Sequence, residues 1–179
     1  PMTPSVSPAL IPGGGIGGGG NGTMYRGIIV RNSEVGAAQA EILTFLFRGI
    51  CGNHCIWGVE HKTIRQSRHV GKVHERFGEM MAAALKFFDQ PASVDEQRIA
   101  MLGRIELGSD KPSVITAGRG LGLSETVATE AFDAAEQHEA NPRSVWGYAQ
   151  GITRVSQQTD YQDQRFALDL LAAKLLRRK

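Results

Sequence analysis

Near residue 72 the spacing of apolar residues changes, and that change limits the chain to one fold class. Downstream, Val73, Phe77, Met80, Met81, Ala84, Leu85 and Phe88 fall at i, i+4, i+7, i+8, i+11, i+12 and i+15, the stripe of an amphipathic helix. The helix is expected over about 72–88. It should stop before Pro91, because the residue ahead of a proline is held out of the helical region. Upstream the pattern is different. From Thr23 to Arg31, the residues Tyr25, Ile28, Ile29 and Val30 favour a strand, and Asn32-Ser33 reads as a turn. In 37–47, Ala40, Ile42, Leu43, Phe45, Leu46 and Phe47 suit a buried strand, though the length also permits a helix. Thr44, the aromatics and the bracketing glycines favour the strand. Two shorter strands are expected at 55–59 and 62–70, around a turn near Glu60. Strands first and helices afterwards give an α+β domain: an N-terminal antiparallel sheet of three to four strands, then five or six helices packed on it.

The helical part has readable punctuation. Ser93 and Glu96 have capping-box spacing, opening a second helix with Val94, Met101, Leu102 and Ile105 as its apolar face and Gly108 as its end. A short helix follows Asp110. Ser124 caps a fourth over about 125–138, which Asn141-Pro142 terminates, and a fifth covers about 144–157. Asp160 caps the last, which buries some of Phe166, Leu168, Leu171 and Leu175 and ends in Arg177-Arg178-Lys179, where cations suit the helix dipole.

Residues 1–22 stand apart as a Pro/Gly-rich arm. Proline occupies positions 1, 4, 8 and 12, and eight of the ten residues from Gly13 to Gly22 are glycine, the residue that loses most backbone entropy on ordering. Residues 23–179 then form a single domain, mostly strands over 23–70 and mostly helices over 71–179. The order Pro1-Met2 reads as the scar of a cleaved tag, so the natural chain is expected to extend upstream. A hydrophobic content of 41% supports a core, and no apolar run approaches the roughly 20 residues that cross a bilayer. With no basic n-region ahead of an apolar stretch, a cytoplasmic location without membrane contact is expected. Two cysteines four positions apart make no disulfide framework.

Charge is uneven. From Arg48 to Arg76 there are six Lys/Arg against two Asp/Glu, with four of the five histidines. Lys62, Arg65, Arg68, His69, Lys72, His74 and Arg76 make a basic band, with Arg26 and Arg31 placed to join it, and Trp57 and Tyr25 offer stacking surfaces. A basic groove beside aromatic platforms is how single strands are held without sequence preference, with salt dependence set by phosphate contact. The plainer alternative is a solvated sheet face with its aromatics in the core. The candidate nucleic-acid contacts are therefore Tyr25, Arg31, Trp57, Arg65, Arg68, His69, Lys72 and Arg76.

Cys51, His54 and Cys55, with a distal histidine, offer zinc-type donors. In an extended segment Cys51 and Cys55 stand about 13 Å apart, too far to share one ion, which favours two small buried hydrophobes. No metal or other cofactor is expected. Gly118-Arg119-Gly120-Leu121-Gly122 is glycine-rich ahead of a helix, but without the Lys-Ser/Thr of a phosphate loop it reads as a turn. Residues 112–132 also have the outline of a helix-turn-helix, yet Glu125, Glu130, Asp133 and Glu136 on the second helix would face phosphates with like charge. Asn32, Ser33 and Glu34 form a polar cluster that a self-bonded turn explains. No nucleophile, base and orienting acid assemble.

Several separated motifs resemble the phage/plasmid-like protein family, a domain of unknown function. They are Tyr25-Arg26-Gly27, Asn32-Ser33-Glu34-Val35-Gly36, Cys51-Gly52-Asn53-His54 with Trp57-Gly58, Arg68-His69-Val70-Gly71, Trp146-Gly147, Gln150-Gly151-Ile152-Thr153-Arg154 and Asp163-Gln164-Arg165. The resemblance spans about residues 23–176. Members usually carry a further N-terminal portion, and here the short arm stands in its place. The resemblance implies a bacterial, phage or plasmid setting and carries over no reaction and no catalytic residues. By analogy with DNA-handling proteins of mobile elements, the expected role is non-enzymatic, DNA-associated and homo-oligomeric, with single- or double-stranded DNA as the partner. An oligomeric scaffold without nucleic acid is the alternative, joined through 40–47 and the last helix. A metal-dependent enzyme on Cys51, His54 and Cys55 is the third.

Overall fold

The computed structural model describes residues 24–31, 41–48, 54–56 and 73–177. Among the described residues the fold is mostly helical, with six helices and a small antiparallel sheet. Strand β1 (Met24–Arg31) pairs antiparallel with β2 (Glu41–Arg48), from Met24 opposite Arg48 to Arg31 opposite Glu41. The three-residue β3 (His54–Ile56) lies on the other side of β2, with Phe45 opposite Ile56 and Phe47 opposite His54. The central position of β2 explains its ambiguous sequence. Thr44, Phe45 and Leu46 are consecutive and all buried, so both faces of the strand are covered, and a strand covered on both faces reads as an unbroken apolar run. The arm at 1–22, the turn at Asn32-Ser33 and the strand expected at 62–70 lie outside the described residues.

Helix α1 (Val73–Leu85) packs on β2. It ends three residues before the apolar stripe does. The exit tightens to i→i−3 bonds, Phe87 N–H to Ala84 O at 3.1 Å and Phe88 N–H to Leu85 O at 2.9 Å. This turn brings Phe87 into the core and leaves Leu85 46% exposed, whereas the stripe placed Leu85 and Phe88 inside.

Helix α2 (Ala92–Leu102) corrects the reading at both ends. Its N-cap is Pro91, with no side-chain cap, so Ser93 lies inside the helix. Its C-cap is Gly103 and not Gly108. The expected apolar face is also turned. Leu102 is buried, but Val94 and Met101 are about half exposed, and the inward position next to Val94 belongs to Asp95.

Beyond α2 the chain runs across the start of α5. Val145 N–H donates to Ile105 O at 2.8 Å, Leu107 N–H donates to Arg143 O at 2.9 Å, and Glu106 bridges Ser144. Asp110 caps α3 (Lys111–Leu121) by accepting from Ser113 N–H at 2.9 Å. The short helix expected there is eleven residues long because it continues through the glycine run. Gly122 closes it at φ 111°, the left-handed conformation that glycine adopts without a Cβ penalty, and Leu123 N–H reaches back to Gly118 O. The glycines are thus a helix end, not a free turn.

Ser124 caps α4 (Glu125–His138), as read, while Ser144, expected as the first residue of the fifth helix, is instead the N-cap of α5 (Val145–Gln158). The last helix, α6 (Gln162–Leu176), is capped by Tyr161 rather than Asp160. Its terminal carbonyl at Leu176 accepts from Arg98 of α2 at 3.4 Å, a partner that the cationic tail did not suggest.

The core gathers on α5, where eleven of fourteen residues are buried. Ala128, Ala131 and Ala135 of α4 lie against it. A Cβ on Gly151 would strike the Ala131 carbonyl, so the two backbones approach as only small residues permit. α5 also packs on α6, α2 and β3.

Candidate functional site

A helix buried nearly all round is normally apolar, but α5 carries Gln150, Thr153 and Ser156, each buried to 1% exposure or less, with Arg154 and Gln157 half-buried beside them. Interior polar groups must find partners, and two of these find them within α5 and between α5 and α6. Thr153 Oγ1 donates to Gln150 O at 2.9 Å. Ser156 Oγ donates to the Arg165 carbonyl of α6 at 3.1 Å. Gln150, Arg154 and Gln157 are each engaged as well. Across the helix, the Tyr148 hydroxyl donates to Ala128 O of α4 at 3.1 Å, and burial pushes its pKa up to about 12.

Facing the end of α5 from α6 is Asp169. Burial pushes its carboxyl up to about 7, against the opposing pull of a hydrogen bond with Ser156 and the positive charge of Arg165. A carboxyl of that kind exchanges a proton at neutral pH. Ser156 is its hydroxyl neighbour. Sequence reasoning used Gln150 to Arg154 and Asp163 to Arg165 as family motifs and did not single out this cluster. The available signal was polar residues at 150, 153, 154 and 157 along a helix whose other positions are apolar or glycine.

A second interior charge lies between the sheet and α2. Arg26 leaves β1 and meets Asp95 of α2, with Nη2 to Oδ2 at 2.5 Å and Nε to the same oxygen at 2.9 Å; the side chains are 11% and 3% exposed. The guanidinium also donates to the carbonyls of Phe88, Gln90 and Pro91 and lies 5.0 Å from the centre of the Phe87 ring. Arg26 is therefore spent on holding the sheet to the α1–α2 corner and cannot serve the basic band that the sequence suggested for it.

The other expected contacts divide between described and undescribed backbone. Tyr25 lies on β1 opposite Phe47, and Phe47 lies opposite His54, so the three occupy one row of the ladder. Arg31 stands opposite Glu41, about 20 Å along β1 from Tyr25. Arg76 is on α1. Trp57, Arg65, Arg68, His69 and Lys72 lie outside the described residues, as does Cys51 of the metal reading, while His54 and Cys55 are neighbours on β3. Among the described residues no three His, Cys, Asp or Glu gather as a metal site, and no helix is long and apolar enough to cross a membrane.

The helix-turn-helix outline at 112–132 corresponds to α3 and α4. α4 directs its alanines at α5, and its acids lie on the outer side. Two are neutralised locally, Asp133 by Lys111 at 2.5 Å and Glu125 by Arg119 at 3.6 Å, while Glu130 and Glu136 are exposed. At the start of α6 a shallow hollow lined by Tyr161, Gln162, Asp163 and Gln164 holds one carboxylate. No family model, curated protein or solved structure matches this chain.

Proposed function

We propose that this is a non-enzymatic, DNA-associated protein of the phage or plasmid type, self-associating and acting on single strands. The observation that carries the reading is the separation of charge between its two parts. Residues 73–177, which hold the helices, contain eleven Lys/Arg against fifteen Asp/Glu, whereas residues 1–72 contain seven against three. Within the helical part Lys111 is tied to Asp133, and Arg143 lies beside Glu106 and donates to Ser109 O. A polyanion is repelled by an acidic stretch and drawn to a basic one.

In this reading Arg65, Arg68, Lys72 and Arg76, with His69 and Arg31, contact phosphates. Trp57 and the row begun by Tyr25 stack bases. An N-terminal sheet of three to four strands is the support for that band. The motif resemblance to the phage/plasmid-like family agrees with the setting.

Fluorescence anisotropy with labelled single- and double-stranded DNA across a salt series tests the proposal. Binding should weaken steeply with salt, and Arg65→Ala with Arg68→Ala should abolish most of it. No binding at low salt, or binding unchanged in the double variant, would sink the reading. Light scattering with and without single-stranded DNA separates it from the scaffold alternative, in which the protein self-associates and DNA changes nothing.

A further inference from the structure

We draw no further inference here: the strongest candidate, the exposed apolar flank of α2 formed by Val94 and Met101 with Ile105 just beyond the helix, is a surface patch for which nothing in the structure shows what covers it.

Discussion

Replacing Asp95 by alanine should cost more than any single surface change, and the cost should depend on Arg26. In the native chain the Asp95 carboxylate is 3% exposed and meets both Nε and Nη2 of Arg26. Removing one member of a buried pair strands the other, a loss of about 3–5 kcal/mol. Here the guanidinium keeps the carbonyls of Phe88, Gln90 and Pro91 and the Phe87 ring, which argues for the lower half of that range, about 3–4 kcal/mol. Arg26→Met should cost a similar amount, because it strands a carboxylate instead. The double variant Arg26→Met with Asp95→Leu leaves neither charge unpaired and should cost clearly less than the sum, with a coupling of about 1.5–3 kcal/mol. Urea titration followed by far-ultraviolet circular dichroism measures all four corners. For a chain of this size each kcal/mol moves Tm by about 2–4 °C, so Asp95→Ala should melt roughly 5–15 °C lower. A loss below about 1 kcal/mol for Asp95→Ala, or strict additivity in the double variant, would refute the claim that this pair clamps the sheet to α2.

Two further substitutions probe the packing around α5. Gly151→Ala would gain about 0.5–1 kcal/mol in an open helix; against the Ala131 carbonyl it should instead destabilise by about 1–3 kcal/mol, a reversal that denaturant titration reads directly. Tyr148→Phe removes a buried hydroxyl bonded to Ala128 O and should cost about 0.5–1.5 kcal/mol. In an alkaline ultraviolet titration, one of the three tyrosines should resist ionisation until about pH 12 or until the fold melts.

Much of the helical part was legible in the sequence because its signals are local. A cap such as Ser124 needs only an N–H three residues away, and α4 and α5 were placed within a residue of their observed limits. Asp110 likewise announced the start of α3. β2 was legible once its glycine brackets and aromatics were weighed. The misses are of a different kind. Ser93 has a capping-box partner in Glu96, but Pro91 starts α2 earlier. Gly118 and Gly120 look like a loop, yet they lie inside α3 because the left-handed residue is Gly122. The candidate cluster at Ser156 and Asp169 was hidden, since neither residue forms a motif alone.

The sequence by itself determined the order of elements, the change from strand to helix near residue 72, and the caps at Asp110 and Ser124, all of which depend on bonds spanning a few residues. Tertiary structure decided which faces turn inward. Asp95 is buried and Val94 exposed because Arg26, 69 residues away in the chain, brings an opposite charge to that side of α2. Burial in the tertiary structure raises the Asp169 carboxyl to about 7, against the opposing pull of the Ser156 hydroxyl and the Arg165 charge. Such pairings rest on distances between elements, which apolar spacing along a single helix does not encode.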